Sequence, residues 1–317
     1  MKVGEKEGLT VKVGLKSKFT GALIGSAVGD ALGAPVEGYS LEKVRSVYSE
    51  GKRWKMSYGR YTDDTEMMIG IAESLIKNKG FNGADMARTF IQNYDAKRGY
   101  GPGSKEALKR IREGESWEEA SEKLFGGEGS YGNGAAMRIA PVGLFYYDNA
   151  NALREVAYKS SHITHSHELG KGGAALQAFA ISLAVRGQKE GMLFDLRDFV
   201  QHDVYEDKIR KIEVLLNKDV TKKEIISELG NGEAAFNSVP TAIYSFLRFD
   251  HFEDSVTYAV SLGGDTDTIG AMTGAISGAY YGVGAIPNEW VEKLEEGEKG
   301  KSYIKRLAEE LYHSKGL

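Results

Sequence analysis

Cysteine is missing from this sequence, which excludes disulfide bridges and metal sites built from thiolates. Neither sign of charge is in marked excess, because 41 Lys and Arg face 45 Asp and Glu. The charges are nearly balanced and form no basic stripe, so the sequence does not indicate a nucleic-acid or anionic-membrane partner. Residues 1–17 lack the apolar core of a signal peptide. We expect a cytoplasmic, monomeric protein, and the lack of cysteine fits a reducing compartment.

Glycine, in contrast, is abundant, at 40 of 317 residues, and in two stretches it recurs every fourth residue. That period places small side chains on one face of a helix. A glycine inside a helix costs about 1 kcal/mol relative to alanine, so its repetition indicates that another backbone packs very close. We expect the two stretches to form helices that pack against each other. Their glycines are Gly21, Gly25, Gly29 and Gly33 in the first, and Gly270, Gly274, Gly278 and Gly282 in the second.

A membrane helix is the alternative for the second stretch, because its G-x-x-x-G spacing also suits helix pairing in lipid. Polar side chains such as Thr273, Ser277 and Tyr280 interrupt it, and the mean hydropathy of the chain is -0.36. In the first stretch, the charged side chain of Asp30 likewise argues against a membrane span. We therefore expect buried helices of a globular core and no membrane partner.

Helical periodicity dominates the rest of the chain, and regular alternation of strands with helices does not emerge. The sequence predicts an all-α fold with a single compact multi-helix domain over residues 18–317. Residues 1–17 are predicted to form an N-terminal extension or an edge strand. Further helices are expected from about Pro240 to Phe249 and over residues 289–314. No linker rich in proline, glycine or serine divides the chain.

Two pairs of acidic residues stand at predicted helix starts, each flanked by threonines: Asp63 and Asp64 in T-D-D-T-E, and Asp265 and Asp267 in G-G-D-T-D-T. The alternative is helix capping, with Asp63 and Glu66 as a capping box and the second pair complementing a helix dipole. The recurrence of the pattern favours a shared site over two coincidental caps.

The two clusters, with the hydroxyls of Thr62 and Thr268, offer only oxygen ligands. Such ligands select Mg²⁺, Mn²⁺ or Ca²⁺ over zinc or copper. Four carboxylates brought together would repel one another, and two divalent ions about 3.5–4 Å apart would balance their charge. An EF-hand is excluded because its twelfth position is Ile276 instead of glutamate.

Other polar segments are less specific. His162, His165 and His167 invite a zinc interpretation, but without cysteine or H-E-x-x-H we expect hydrogen bonding or stacking on a ligand, with a structural histidine as the alternative. The glycine-rich segments 98–104 and 125–138 match neither a Walker loop nor G-x-G-x-x-G. They are turns, or loops whose bare backbone amides approach a pyrophosphate.

Taken together, the motifs T-D-D-T, G-D-A-L-G-x-P-x-E, G-N-G-A-A-M-R, T-H before a helix of small residues and G-G-D-T-D-T-I-G resemble the ADP-ribosylglycohydrolase family. They follow the family's order from about residue 18 to 290. Each motif is weak alone, whereas the ordered set is specific. The resemblance implies an all-α enzyme that uses two Mg²⁺ or Mn²⁺ ions to hydrolyse the glycosidic bond between ADP-ribose and an acceptor.

The resemblance also implies roles for particular residues. Glu37 is the first candidate for general acid or base, and Asp63 or Asp64 is the second. Phe125 and His165 match adenosine contacts, while Pro102 departs from the family's pattern by removing one N–H donor from a phosphate loop. The metal ligands would be Thr62, Asp63, Asp64, Asp265, Asp267 and Thr268. The diphosphate and riboses would contact Gly99, Gly101, Gly103, Ser130, Tyr131, Gly132 and Asn133.

For the acceptor, the segments around Tyr131 and His165 resemble the subgroup that acts on O-linked ADP-ribose: ADP-ribosylserine, poly(ADP-ribose) and O-acetyl-ADP-ribose. A guanidinium leaving group would prefer a rim lined by carboxylates, and the sequence shows no further acidic motif of that kind. The alternatives are an arginine-specific hydrolase and a non-catalytic, metal-dependent ADP-ribose binder. A phosphatase that uses D-T-D-T would need the preceding V-T-Y-A-V-S-L as a strand of an alternating fold.

Overall fold

Helix follows helix in the computed structural model, which describes residues 13–48 and 54–316. Within these residues no β-strand forms, and the only extended pairing is an isolated bridge between Gly132 and Ala234. The all-α prediction is therefore confirmed. The α-helices of the described residues are α1 (Leu15–Gly33), α2 (Leu41–Val47), α3 (Asp63–Asn78), α4 (Gly83–Asn93), α5 (Pro102–Arg112), α6 (Ala140–Phe145), α7 (Ala150–His162), α8 (Glu168–Val185), α9 (Met192–Phe199), α10 (Asp203–Leu216), α11 (Lys222–Leu229), α12 (Ala235–Arg248), α13 (Phe252–Ser261), α14 (Thr266–Tyr281), α15 (Asn288–Lys293) and α16 (Lys301–Ser314).

The two glycine-striped helices, α1 and α14, pack against each other as the sequence predicts, and the structure shows that they are antiparallel. A Cβ placed on Gly25 would lie 2.3 Å from the carbonyl oxygen of Gly274, and one on Gly274 would lie 2.0 Å from that of Gly25. Gly29 and Gly270 face each other in the same way. Because no side chain fits at these distances, glycine is required for the two backbones to approach so closely.

Further helices enclose this central pair. Helices α8, α12 and α13 pack on α14, whereas α3 and α16 pack on α1. The C-terminal end of α1 meets the N-terminus of α14, where the hydroxyl of Thr266 donates to the carbonyl oxygen of Gly33 at 2.9 Å. The N-terminus of α3 lies at the same end, since the amide of Thr62 donates to Asp30 of α1 at 3.0 Å. The polar helix ends thus converge beside a buried apolar core.

Length and apolarity single out one segment of the described chain, Leu15–Val36, as a candidate membrane span. In the structure 89% of its apolar window is buried, and α1 is covered by α3, α14 and α16. The segment is the core helix that the sequence predicts.

Three predicted boundaries need correction. Helix α1 begins at Leu15 instead of Lys18, and residues 1–12 of the predicted extension lie outside the described residues. Helix α12 starts before Pro240; proline favours the first turn of a helix, which misplaced the predicted start. The segment 289–314 is two helices, separated where Gly297 adopts φ +135°.

One alternative function depends on a strand that the structure does not form. The segment V-T-Y-A-V-S-L before the second acidic pair belongs largely to helix α13. A phosphatase of alternating strands and helices is therefore excluded by the fold.

Candidate active site

A cavity of about 440 Å³ opens where the N-termini of α3, α5 and α14 meet. Among the residues that the family resemblance assigns to the site, only Tyr131 is absent from its walls; its ring packs against His167 and Phe236, with centroids 5.6 and 5.9 Å away. The structure thus brings together segments that are more than 200 residues apart in the chain. The predicted residues that line the cavity are Glu37, Thr62, Asp63, Asp64, Gly99, Gly101, Gly103, Phe125, Ser130, Gly132, Asn133, His165, Asp265, Asp267 and Thr268.

Three carboxylates converge on one wall of this cavity. Glu37, Asp265 and Asp267 each offer an oxygen atom, and these atoms lie within 4.8 Å of one another. The sequence interpretation kept Glu37 apart from the metal ligands. In the structure its carboxylate is close enough to Asp265 and Asp267 to share a cation with them.

The N-terminus of α3 is capped by Thr62, whose hydroxyl oxygen accepts from the amide of Asp64 at 3.4 Å. The alternative, a capping box of Asp63 and Glu66, does not form. The Glu66 carboxylate instead accepts from the amide of Asp95 at 2.9 Å and from the hydroxyl of Tyr100 at 2.8 Å. Asp63 is therefore not engaged in capping, and its carboxylate lines the cavity.

At α14 both acidic residues stand at the helix start, where they complement its dipole, but the capping hydrogen bond is missing. Asp265 occupies the N-cap position, but its side chain makes no capping hydrogen bond. Its Oδ2 atom accepts instead from the side-chain amide of Asn133 at 2.6 Å. Asp267 accepts from the adjacent amide of Thr268 at 2.8 Å. Both carboxylates therefore keep oxygen atoms available to a ligand.

Electrostatics distinguishes this cluster from an ordinary polar surface. Burial raises the pKa of Asp63 to about 7, and the charges of Asp30 and Glu37 add to the shift. Burial and neighbouring carboxylates also raise the pKa of Asp64 and Asp267 well above the usual range. The Oδ1 atom of Asp64 is buried without a hydrogen-bond partner among the described residues. All-oxygen donors, mutual repulsion and an unpartnered carboxylate oxygen fit a hard divalent cation.

Asp30 is a member of the site that sequence analysis missed. Its carboxylate is fully buried and accepts the backbone amides of Thr62 and Thr65 and the hydroxyl of Thr65, the last at 2.6 Å. Its place in the G-D-A-L-G motif was the available signal. Asp30 holds the turn that presents Asp63 and Asp64, without lining the cavity itself.

Asn133 makes contacts that the sequence did not predict. Its side-chain amide donates to Asp265 at 2.6 Å and to the hydroxyl of Ser238 at 3.0 Å. Both protons of that amide are thereby engaged, and neither is left for a sugar hydroxyl. In this structure Asn133 orients a candidate metal ligand.

The glycine-rich loop between 98 and 104 leads into α5. Gly101 is the N-cap of this helix and Pro102 its first residue, a position where the missing N–H of proline costs nothing. Pro102, which departs from the family pattern, therefore begins helix α5. Gly103 and Ser104 follow in the first turn and line the cavity, and the N-terminus of a helix attracts anions.

An exposed aromatic side chain stands beside that helix start. Phe125 is 61% exposed and adopts φ +52°, a backbone conformation that is strained for a non-glycine residue. Its ring edge would lie 3.2 Å from a Cβ placed on Gly103. The ring is therefore held at the cavity rim, available for stacking on a planar ligand.

Glu233 is a second residue that sequence analysis missed. It is exposed and lines the cavity, and its negative charge contributes to raising the pKa of Glu37. Its carbonyl oxygen accepts from the amide of Asn133 at 2.8 Å, which fixes the segment beside the glycine loop. The expectation of no further acidic group at the rim is therefore wrong. Nothing in a loop glutamate signals its position in the fold.

The three clustered histidines do not converge on one point. A ring nitrogen of His162 lies 2.8 Å from the carbonyl oxygen of Glu118, and His167 accepts from the amide of Leu169. Only His165 faces the cavity. Of the three, His165 is therefore the one that can contact a ligand in the cavity.

A larger cavity, of about 590 Å³, lies elsewhere, between α2 and the segments around Thr221 and Tyr258. It contains none of the predicted site residues. Among the described residues that line it, Asp254 is the only acidic one. The chemistry described above therefore belongs to the smaller cavity.

Comparison with known proteins supports the same assignment. The model of the ADP-ribosylglycohydrolase family matches residues 12–316. The chain is 36% identical to the ADP-ribosylhydrolase ARH3 of Homo sapiens, over 89% of this chain and 90% of the relative. It is also 36% identical to an uncharacterized protein of Archaeoglobus fulgidus, over 94% and 97%.

Among solved structures, one described as an ADP-ribosylglycohydrolase-related protein complex superposes with a TM-score of 0.76. It shares 29% sequence identity and covers 95% of this chain and 99% of its own. The helical fold, the site and the similarity over almost the full length agree. The chain belongs to the ADP-ribosylglycohydrolase family, and it is a hydrolase of ADP-ribose linked to an acceptor.

Proposed function

We propose that the protein releases ADP-ribose from an O-linked acceptor in a reaction that depends on divalent metal ions. The observation that carries the metal dependence is the convergence of Glu37, Asp265 and Asp267 within 4.8 Å. The same cavity holds the N-terminus of α5, suited to a diphosphate, and the exposed ring of Phe125, suited to adenine. The distribution of these groups matches the parts of an ADP-ribose molecule.

Two Mg²⁺ or Mn²⁺ ions would be held by the oxygen donors around this wall. Bound ions would orient the ribose hydroxyls and polarise the leaving side of the glycosidic bond. The residues proposed as ligands are Thr62, Asp63, Asp64, Asp265, Asp267 and Thr268. The carboxylate of Glu37 lies within 4.8 Å of those of Asp265 and Asp267.

Glu37 is the proposed general acid or base. Glu37 is exposed as a residue, but its carboxyl group stands in the cavity wall, where partial desolvation and the charges of Asp265 and Glu233 raise its pKa. A carboxyl group with a raised pKa can hold a proton nearer to neutral pH and deliver or accept it at the reacting oxygen. Glycoside hydrolysis commonly uses such a group, because its transition state resembles an oxocarbenium ion.

An arginine-linked acceptor is the second candidate, and Glu233 is the observation that favours it. None of the ion pairs among the described residues includes Glu233, so its charge at the cavity rim is available to a cationic acceptor. A guanidinium forms strong paired hydrogen bonds with carboxylates. The O-linked proposal therefore rests on the motif resemblance, whereas Glu233 is a structural feature that favours an arginine-linked acceptor.

A panel of substrates separates these possibilities. ADP-ribosylserine peptide, ADP-ribosylarginine peptide, poly(ADP-ribose) and O-acetyl-ADP-ribose would each be assayed for released ADP-ribose with Mg²⁺, with Mn²⁺ and with EDTA. We expect turnover of the O-linked substrates with metal only. Turnover of the arginine-linked substrate alone would reverse the acceptor assignment, and undiminished turnover in EDTA would refute the metal dependence.

A matched pair of variants tests the contribution of the rim. Glu233→Gln removes the rim charge, whereas Glu128→Gln removes an exposed glutamate that does not line the cavity. If the acceptor is cationic, Glu233→Gln lowers the ratio of arginine-linked to serine-linked kcat/KM by about tenfold, the effect of a charge-assisted hydrogen bond. If the acceptor is O-linked and neutral, both variants leave that ratio unchanged.

A further inference from the structure

Arg138 is a fully buried cation that the reaction described above does not use. Its guanidinium lies 4.7 Å from the ring centroid of Phe90 and contacts the sulfur of Met67 at 3.3 Å. No carboxylate of the described residues forms an ion pair with it. Burial lowers its pKa to about 9. An arginine without a counter-ion is costly in a protein interior, which makes its hydrogen bonds informative.

Those hydrogen bonds lead toward the cavity. One guanidinium nitrogen of Arg138 donates to the carbonyl oxygen of Ser160 at 3.2 Å and to the hydroxyl oxygen of Thr164 at 2.9 Å. The same Oγ1 atom lies 2.7 Å from Nδ1 of His165. Thr164 is fully buried, and His165 is 5% exposed and lines the cavity.

The direction of this chain follows from the donors. A guanidinium donates and cannot accept, so the Thr164 oxygen is the acceptor of Arg138. The single proton of the Thr164 hydroxyl then needs an acceptor, and Nδ1 of His165 is its hydrogen-bond partner in the structure. Since the described residues give this hydroxyl no other acceptor, we assign Nδ1 as the acceptor, which leaves it without a proton. Burial, together with the charge of Arg138, lowers the pKa of His165 to about 3, so the ring is neutral and its proton resides on Nε2.

Nε2 points to the glycine loop at the cavity wall. It would lie 2.9 Å from a Cβ placed on Gly134 and 3.5 Å from one on Gly132. The ring packs against the backbone of this loop, where a side chain on Gly134 would collide with it. A ligand would therefore reach the ring from the cavity that His165 lines. An N–H donor in this place suits an anionic or hydroxyl oxygen.

We propose that Arg138, acting through Thr164, fixes His165 in the tautomer that presents an Nε2–H donor to the ligand. Arg138 and Thr164 are positioning residues, and His165 is the group that contacts ADP-ribose. Arginine suits this task because it keeps its protons throughout the physiological pH range. The direction of the relay is thus independent of pH. The tautomer is a property of the free protein, and only the identity of the ligand rests on the proposed function.

Nuclear magnetic resonance of the ¹⁵N-labelled protein tests the relay. Long-range ¹H–¹⁵N spectra distinguish protonated from bare ring nitrogens, and His165→Gln identifies the signals of this ring. We expect the Nε2–H tautomer in the wild type and in Thr164→Ser, which keeps the hydroxyl. Thr164→Val removes the donor to Nδ1 and should shift the ring toward the Nδ1–H tautomer or a mixture.

Calorimetric binding of ADP-ribose at a fixed Mg²⁺ concentration gives the second measurement. We expect about tenfold weaker binding for Thr164→Val and recovery in Thr164→Ser, as for the loss of one hydrogen bond to a charged group. Unchanged tautomer and affinity in Thr164→Val would overturn the proposal.

If Thr164→Val does not fold, the wild-type spectrum still decides. A proton on Nδ1, or on both nitrogens at neutral pH, refutes the relay whether or not ADP-ribose binds. The Nε2–H tautomer in a protein that fails to bind ADP-ribose would instead contradict the proposed function and leave the relay intact.

Discussion

The carboxylate of Asp30 and the hydroxyl of Thr65 form a 2.6 Å hydrogen bond where α1 meets the start of α3. The same carboxylate accepts the backbone amides of Thr62 at 3.0 Å and of Thr65 at 3.2 Å. Asp63 and Asp64 lie between these two anchored residues. The position of both candidate ligands therefore depends on a buried group that contacts neither the cavity nor a ligand.

We predict that Asp30→Asn weakens Mn²⁺ binding by about tenfold or more, because outer partners of metal ligands typically contribute 10- to 100-fold to metal affinity. An asparagine offers only one acceptor oxygen where the structure uses two. Calorimetric titration of the metal-free variant measures the effect. Asp85→Asn is the control: Asp85 is also a buried carboxylate, but it accepts from Ser74 and Asn78 at the other end of α3. Equal metal affinities in Asp30→Asn and Asp85→Asn would contradict the prediction.

How far the sequence predicts this protein depends on the kind of signal. The α1–α14 pair is predictable because glycine spacing reports directly on the distance between two backbones. The grouping of Asp63 and Asp64 with Asp265 and Asp267 is predictable from a repeated local motif. Glu233 carries no local signal, because its place at the rim depends on the bridge between Gly132 and Ala234.

The direction in which a polar side chain points is the other limit. Asn133 and Glu66 stand in recognisable motifs, yet the first turns to Asp265 and the second to Tyr100. Sequence spacing cannot distinguish a capping carboxylate from one that bonds a distant loop, because both occupy the first turn of a helix. Tertiary contacts decide between them.

The carboxylate cluster predicts an unusual dependence of stability on pH. Burial raises the pKa of Asp30 to about 6 and that of Asp63 to about 7. The folded protein thus binds these protons more tightly than the unfolded chain does. Their contribution to stability is fully present below pH 4 and is lost as the pH rises through 6 to 7.

We therefore expect the free energy of unfolding of the metal-free protein to be lower at pH 8 than at pH 5. Millimolar Mg²⁺ should restore stability at pH 8, because a ligand that binds only the folded state stabilises it. Urea unfolding in EDTA and in Mg²⁺ measures both effects. Asp63→Asn, which removes one titrating group, should flatten the dependence. Higher stability at pH 8 than at pH 5 in EDTA would count against the proposed cluster.

Glu37→Gln separates chemistry from binding. If Glu37 is the general acid or base, the variant loses about 10²- to 10⁴-fold in single-turnover rate, while its affinity for ADP-ribose stays within a few-fold of the wild type. Rapid-mixing kinetics and calorimetry provide the two values. A metal titration completes the test, since Glu37 lies within 4.8 Å of Asp265 and Asp267. A large loss of metal affinity with a normal rate at saturating metal would make Glu37 a ligand instead of a proton carrier.

The close contact of α1 with α14 predicts a large effect from a very small change. In Gly274→Ala the new Cβ would lie 2.0 Å from the carbonyl oxygen of Gly25, so one backbone must move. Alanine favours the helix by about 1 kcal/mol, but overpacking of this kind costs about 1–3 kcal/mol or more. Because both helices are buried and backbone atoms cannot rotate away, we expect a net loss of about 2 kcal/mol in the free energy of unfolding. Gly14→Ala is the matched control, since a Cβ there has no neighbour within 4 Å among the described residues. Urea unfolding of both variants measures the difference, and a Gly274→Ala variant as stable as Gly14→Ala would show that the two helices are not held at the distance described.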